Sequence, residues 1–243
     1  MNVTDVHDRW ESLSGAYSPE YYAYYGPNAT SKALRQTLSE LVDPDASVLE
    51  LGCSSGRHLA HLHEHGYENL AGIDINEAAF EVMAQNSPDL FEAGTFYCCS
   101  IEHLVDSLPT NRFDVVYSVE TIQHVHPDND WVFDDLARIA STAVLTAENE
   151  GTTPNGESGS DSATEAASSS GSGSGSSSAT GSGSGSDSEP GPSSPLREVR
   201  EVDGLPLYIR DWEQVFTDRG LQPVDCTDTE IERHTVRAFD CRS

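Results

Sequence analysis

The chain has few basic residues and almost no lysine. Its 243 residues include 41 acidic and 13 basic side chains, for a formal charge of −28, and Lys32 is the single lysine. Nonspecific nucleic-acid binding needs clustered basic residues that displace counterions, so this composition argues against that class of partner. No hydrophobic run reaches membrane-spanning length, and the N-terminus lacks the apolar core of a signal peptide. We therefore expect a cytoplasmic protein without a membrane partner, and the sequence indicates no oligomeric state.

Two common site motifs are missing. No GK[ST] sequence is present, and the single lysine precedes the first predicted strand, which excludes a P-loop enzyme. The cysteines are odd in number and lack CxxC spacing, so they predict neither a disulfide framework nor a zinc site. These cysteines are Cys53, Cys98, Cys99, Cys226 and Cys241.

A cluster of histidines follows in residues 57–65. His58, His61 and His65 share one helical face with His63 nearby, and His61 and His65 have the i, i+4 spacing of helical zinc ligands. The HExxH order is absent, and no cysteine or third acidic ligand is evident nearby. Because the same spacing is ordinary for an amphipathic helix, we favour a solvated or pocket-lining helix and predict no metal.

The acid excess combined with the scarcity of lysine has two interpretations. One is a solvated surface, and the other is a composition that resembles proteins of salt-accumulating halophilic archaea. At about 1 M salt the Debye length falls to ~3 Å, which screens the self-repulsion of so acidic a chain. We favour the halophilic interpretation.

Residues 151–195 are mostly serine and glycine and contain no aromatic residue, leucine, isoleucine or valine. Such a segment cannot bury enough apolar surface to offset its ordering entropy, so we predict a disordered, acidic insertion. The sequence thus divides into an aromatic N-terminal lid segment, residues 1–30, and a single domain formed by residues 31–150 and 196–243.

Strand and helix patterns alternate through the domain. We predict a helix begun by Ser31, then strands at 47–51, 70–74, 95–99, 113–118 and 143–147, with helices at 57–65, 77–85 and 130–139 and a short turn at 101–107. After the insertion, a helix capped by Asp211 precedes two β-like runs, 221–231 and 234–241. The prediction is an α/β fold, a Rossmann-like doubly wound sheet of five parallel strands with a C-terminal antiparallel hairpin and helices on both faces.

Residues 48–56, VLELGCSSG, combine a strand, a carboxylate and a glycine turn that opens into a helix. This order is typical of a nucleotide-cofactor site. Glu50 lies two residues before Gly52, where a dinucleotide would place its anionic pyrophosphate, so a cationic ligand suits the position better. Asp74 ends the second strand, where a carboxylate can accept both ribose hydroxyls.

With these motifs the chain resembles class I S-adenosylmethionine-dependent methyltransferases, in the small-molecule branch, from about Ser31 to Cys241. The resemblance implies an enzyme whose cofactor is S-adenosylmethionine, with the glycine turn around the methionine part. The family often has glycine where this chain has Ser54, and aspartate where it has Ser100. The residues implied to bind the cofactor are Glu50, Gly52, Cys53, Ser54, Gly56, Asp74, Ile75, Ser100, Ile101, Glu102 and Ser118.

Three residues are candidates for catalysis. Glu120 and His124 follow the fourth strand, where ligands of open α/β sheets bind, and either could accept a proton from a methyl acceptor. His124 could equally be a packed helix residue that donates to a carbonyl. Tyr25, with Tyr21 and Tyr22, belongs to the predicted lid, because aromatic faces attract a sulfonium.

The reaction predicted from the resemblance moves a methyl group to an unidentified acceptor, for which we favour a small molecule. Two alternatives remain. A non-catalytic S-adenosylmethionine sensor or partner subunit is compatible with Ser54 and Ser100. An NAD-dependent oxidoreductase requires a GxGxxG turn, which this chain lacks at Ser54, and Glu50 would repel the pyrophosphate.

Overall fold

The computed structural model describes residues 1–12, 15, 18–151, 195–225, 230–231 and 234–242. The prediction of disorder for residues 151–195 therefore falls outside the described residues except at its two ends. Tyr17, Cys226, Glu232 and Arg233 also lie outside them. The division into lid, domain and insertion stays a prediction, as does the cytoplasmic location. In the described part of the chain, no helix has both the length and the apolar character needed to cross a membrane.

The main sheet contains the five parallel strands that the sequence predicts. They are β1 (Val48–Leu51), β2 (Leu70–Asp74), β3 (Thr95–Cys98), β4 (Phe113–Val119) and β5 (Ala140–Glu148). Their spatial order is β3-β2-β1-β4-β5, and all four adjacent pairs are parallel. The order reverses direction at β1 and β4, and ligands bind at such a switch point in open α/β sheets.

Helices cover both faces of this sheet. They are α1 (Val3–Glu11), α2 (Pro19–Tyr25), α3 (Ala29–Leu41), α4 (Arg57–Glu64), α5 (Glu77–Asn86), α6 (Pro88–Ala93), α7 (Ile101–Ser107), α8 (Trp131–Ile139) and α9 (Trp212–Thr217). Successive β1 side chains enter different cores: Leu49 and Leu51 pack with α8 residues, whereas Val48 packs with α3 and α4 residues. An apolar run buried on both faces is typical of a parallel sheet between helical layers.

The C-terminal strands extend the sheet in the antiparallel direction, as predicted. These strands are β8 (Gln222–Val224), β9 (Glu230–Ile231) and β10 (His234–Asp240). β10 pairs with β5 on one side and with both short strands on the other. The predicted strand 221–231 is thus two short strands, of which β8 includes Pro223, a residue that cannot donate to a strand ladder.

Three local predictions need correction. The helix predicted to begin at Ser31 is α3, whose N-cap is Asn28, and Ser31 is the third helical residue of a reciprocal capping box. The turn predicted at 101–107 is a full helix, α7, capped by Ser100. The segment after the insertion forms an unpredicted hairpin, β6 (Leu196–Val202) with β7 (Leu205–Arg210), in a separate two-stranded sheet.

Candidate active site

A cleft opens at the carboxyl edge of the parallel strands. Ligands of open α/β sheets bind outside this edge. The predicted cofactor residues that line it are Glu50, Gly52, Cys53, Ser54, Asp74, Ile75, Ser100, Ile101 and Glu102, and two of the predicted catalytic residues, Glu120 and His124, line it as well. The fold therefore brings together side chains that the sequence spreads over 75 positions.

Glu50 lies at the floor of the cleft and is 1 % exposed. Its Oε2 atom is buried and has no hydrogen-bond partner. Burial raises the pKa of this carboxyl to about 8, although Tyr117 and Arg57 act in the opposite direction. A buried acceptor without a partner carries a desolvation cost, which a cationic hydrogen-bond donor in the cleft would remove.

Gly52 lies beside Thr121 with no room for a side chain. A Cβ atom at this position would lie 2.3 Å from Thr121 Oγ1, and the glycine has a φ of +65°. Thr121 belongs to the loop that follows β4 and also lines the cleft. Only glycine allows the turn after β1 and the loop after β4 to approach so closely.

Ser54 adopts the left-handed conformation that explains why glycine is frequent at this position, with a φ of +47°. Its backbone N–H donates to Asp74 Oδ2 over 2.8 Å, and the N–H of Asn76 donates to Asp74 Oδ1 over 2.9 Å. Each carboxylate oxygen retains a further acceptor site, so Asp74 can still accept hydroxyl groups. Asn76 caps α5, since its Oδ1 accepts from the backbone N–H of Ala78.

Glu102 is held by neighbouring side chains. His7 Nε2 lies 3.3 Å from one of its oxygens, and Asn129 Nδ2 donates to the same oxygen over 2.9 Å. Although burial alone would raise it, these hydrogen bonds keep the pKa of Glu102 below its ordinary value. The bond to Glu102 raises the pKa of His7, so the pair links α1 to the start of α7 across the cleft.

Three predicted site residues lie outside the cleft lining. Ser118 is buried and donates to Glu148 Oε1 over 2.6 Å. Gly56 caps α4, and a Cβ atom there would lie 2.8 Å from Met83. Tyr25 is 61 % exposed, and Tyr22 lines the cleft in its place with its ring under the Arg57 guanidinium.

Glu148, which the sequence reasoning missed, anchors the loop after β4. This carboxylate is fully buried at the end of β5 and accepts from Ser118 Oγ and from the backbone N–H groups of Thr121, Ile122 and Gln123. Burial raises its pKa to about 7 even though the hydrogen bonds act in the opposite direction. The loop so anchored carries Glu120 and His124 into the cleft. No sequence motif marks this role, because the carboxylate and the loop are 25 or more positions apart.

The two predicted proton acceptors have different environments. His124 is half-buried, and its Nδ1 donates to the Pro206 carbonyl over 2.8 Å. Burial lowers its pKa to about 4, against the effect of that hydrogen bond, so the ring is neutral at pH 7. Glu120 has a φ of +51°, an uncommon conformation for a non-glycine residue, and its Oε1 lies 2.6 Å from His234 Nε2.

Residues of α1 line another part of the cleft, and the β6–β7 hairpin contacts both α1 and the loop after β4. Trp10 of α1 lines the cleft, and its ring meets that of His124 edge-on at 4.9 Å. Arg9 donates to the Asp203 carbonyl at the tip of the hairpin over 2.6 Å. The buried Arg210 at the end of β7 donates to the carbonyl of Val125 over 2.8 Å. These contacts connect the hairpin to α1 and to the loop after β4, and the α1 residues that line the cleft form its roof.

Parts of the chain are similar to known protein families. Residues 49–143 match the family model described as a methyltransferase domain. Ribosomal protein L11 methyltransferase of Burkholderia thailandensis is 33% identical over 91 residues, which are 37% of this chain and 28% of that protein. EEF1A lysine methyltransferase 2 of Danio rerio is 29% identical over 82 residues, which are 30% of this chain and 35% of that protein. The chain thus spans about a third of the length of these curated relatives.

A solved structure supports the fold over the whole chain. Magnesium protoporphyrin IX methyltransferase of Synechocystis PCC 6803, determined with bound S-adenosylmethionine, superposes with a TM-score of 0.53 at 14% identity. The superposition covers 99% of this chain and 98% of that one. At this identity the likeness concerns the fold, which is the Rossmann-like fold that the sequence predicts. Residues 49–143 are thus similar to the methyltransferase domain family, and the chain as a whole has the fold of such an enzyme.

Proposed function

We propose that the protein is an S-adenosylmethionine-dependent methyltransferase with a small-molecule acceptor. The observation that carries this proposal is the unpartnered, buried Oε2 atom of Glu50 at the floor of a cleft lined by Asp74. A cofactor with a cationic group and a ribose suits this pair, whereas a dinucleotide pyrophosphate would face a carboxylate. The residues present therefore fit S-adenosylmethionine.

Each part of the cofactor has candidate partners in the cleft. Glu50 and the turn at Gly52 would hold the methionine part, and Asp74 would accept the ribose hydroxyls. Ile101 would contribute apolar surface beside the adenine, next to Ser100. The side chain of Ser100 already accepts from the N–H of His103 over 3.3 Å, so it caps α7 and retains only part of its capacity for hydrogen bonds.

The cofactor supplies an activated methyl group on a sulfonium, so the protein has mainly to align the acceptor and exclude water. Trp10 and Val6 of α1 provide the apolar wall for that purpose. If the acceptor loses a proton, Glu120 is the better candidate to take it. His124 has its Nδ1 committed to a carbonyl and a pKa of about 4, which makes it a weak base.

A small acceptor is favoured by the roof over the cleft. The α1 residues Val6, His7 and Trp10 line the side opposite the glycine turn, and Glu102 holds His7 in place. An acceptor that enters this space has to be small or to present a narrow group. The curated relatives include methyltransferases named for protein substrates, so a protein acceptor is an outcome that the experiment has to distinguish.

Two measurements test the proposal. Isothermal titration should show S-adenosylmethionine binding that Asp74→Asn weakens at least tenfold, while Asp89→Asn, an exposed acid on α6, leaves it unchanged. Radiolabelled cofactor should then transfer its methyl group to the small-molecule fraction of a cell extract. Label in the protein fraction would contradict the small acceptor, binding without labelled product would favour a sensor, and binding of NAD alone would refute the proposal.

We also infer that the protein operates at high salt concentration. The support is the charge of −28 with a single lysine, which at low ionic strength would destabilise the compact state through self-repulsion. The melting experiment described in the Discussion tests this inference independently of methyl transfer.

A further inference from the structure

We propose that the last turn of α4 carries a binding site for a divalent transition-metal ion, formed by His61, Glu64 and His65. One ligand atom from each of these residues lies within 4.8 Å of the other two. The rings of His61 and His65 have centroids 4.3 Å apart. Residues at i, i+3 and i+4 lie on the same side of a helix, which places Glu64 where a third ligand is needed. This acid is the ligand that the sequence reasoning did not recognise.

The buried nitrogen of His61 is the second observation. His61 is 8 % exposed, and its Nε2 atom is buried without a hydrogen-bond partner. A buried polar atom without a partner requires an explanation, and a bound ion provides one.

His65 is oriented as metal-binding histidines usually are. Its Nδ1 lies 2.7 Å from the carbonyl oxygen of His61, and because a carbonyl only accepts, Nδ1 must carry the proton. The lone pair of the neutral ring is then on Nε2. Histidine ligands commonly donate their other ring N–H to a backbone carbonyl, which fixes the tautomer and the orientation of the ring.

The charges near the three residues act in opposite directions on the binding of a cation. The C-terminus of a helix favours a cation, and Glu64 adds a negative charge. Lys32 and Arg35 of α3 act on His61 as positive charges and would weaken binding. Two imidazoles and a carboxylate suit Zn²⁺, Co²⁺ or Ni²⁺ rather than Ca²⁺ or Mg²⁺, which prefer oxygen ligands.

The geometry requires only a small adjustment. A tetrahedral ion with bonds of about 2.0–2.2 Å holds its ligand atoms about 3.4 Å apart. Glu64 is exposed, so its side chain can rotate to bring a carboxylate oxygen closer to the two rings. Three protein ligands leave a fourth position for water. None of the three lines the methyltransferase cleft, whereas His58 on the same helix does, so the ion would fix the far end of a helix whose first turn forms part of the active site.

Titration with Co²⁺ tests the site on the full chain, without a histidine tag and after treatment with a chelator. We expect one ion per chain with the visible absorption of a low-symmetry cobalt site. Thiolate charge-transfer bands in the near ultraviolet should be absent, which separates this site from binding by the cysteines. His65→Ala and Glu64→Gln should each weaken binding at least tenfold, and both positions are exposed, so these variants should fold.

His63→Ala is the matched control, because His63 lies on the same turn but outside the group. Its affinity for Co²⁺ should equal that of the wild type. The proposal is overturned by an absence of stoichiometric binding, by thiolate bands, or by equal losses in the His63 and His65 variants. These readouts do not involve methyl transfer, so their outcome is independent of the proposed function.

Discussion

Replacement of Glu50 by glutamine distinguishes two effects of this carboxyl group. One is the loss of folding stability that it causes in the cofactor-free protein, and the other is its contribution to cofactor binding. The pKa of Glu50 is about 8 in the folded protein, against an ordinary value of 4.5 for a glutamate side chain. Between these two values the folded state retains a proton that the unfolded state has lost, so the contribution of Glu50 to stability falls as the pH rises. The full difference of ~3.5 pKa units corresponds to a destabilisation of the folded state by about 5 kcal/mol. At pH 7 the folded state has lost about 3 kcal/mol of this stability.

Glutamine does not ionise and should remove this pH-dependent cost. The difference in unfolding free energy between Glu50→Gln and the wild type should grow in favour of the variant as the pH rises. We expect it to increase by about 2 to 3 kcal/mol from pH 5.5 to pH 7.5, by the same linkage. Urea denaturation followed by tryptophan fluorescence, without cofactor, measures this difference. All other titrating groups are shared by the two proteins, so their contributions cancel.

The same variant should bind S-adenosylmethionine at least tenfold more weakly, because an amide cannot ionise, whereas a cation beside Glu50 favours the charged carboxylate and pairs with it. Glu92→Gln, an exposed substitution on α6, is the control and should follow the wild type in both assays. A stability difference between Glu50→Gln and wild type that stays constant or shrinks as the pH rises would refute the reasoning, as would undiminished cofactor affinity.

Three further predictions follow from the turn and the surface. Gly52→Ala should abolish cofactor binding in a titration and lower the unfolding free energy by about 1–3 kcal/mol for overpacking against Thr121; unchanged binding would contradict the close approach. Ser54→Gly should leave binding intact and stabilise the protein by up to about 1 kcal/mol, because its φ is positive; destabilisation in a urea titration would contradict this. The melting temperature should be higher in multimolar KCl than in dilute buffer, because salt screens the charge of −28, and a higher value in dilute buffer would count against a high-salt protein.

The sequence predicted the parallel sheet well because each of its strands has a strong local signal. Apolar runs of four to seven residues alternate with amphipathic helices, and chemistry-bearing residues such as Glu50 and Asp74 end the strands. The carboxyl ends of parallel strands meet at one edge, so local patterns suffice to collect these residues in a cleft. The same reasoning placed Glu120 and His124 there.

Other parts of the site depend on contacts between distant segments. Glu148 is the last residue of a strand, and nothing near it in the sequence shows that it accepts from the loop after β4. Tyr22 and Tyr25 are equally plausible as lid residues by composition, and only the direction of α2 decides that Tyr22 faces the cleft.

The β6–β7 hairpin has a local sequence signal in its turn. Asp203 and Gly204 separate two β-like runs, and both have positive φ values, 51° and 77°. An Asp-Gly pair between alternating segments is a strong hairpin signal, since the tight turn requires these conformations.

The hairpin gives the cleft two walls of separate origin. One wall is the edge of the sheet, with Glu50 and Asp74, and the other depends on Pro206 and Arg210 of the hairpin, which hold His124 and the backbone around it. The hairpin forms its own small sheet, so its side chains can change without altering strand register in the main sheet. A substitution in the hairpin can thus shift His124 and the backbone of Val125 without moving Glu50 or Asp74.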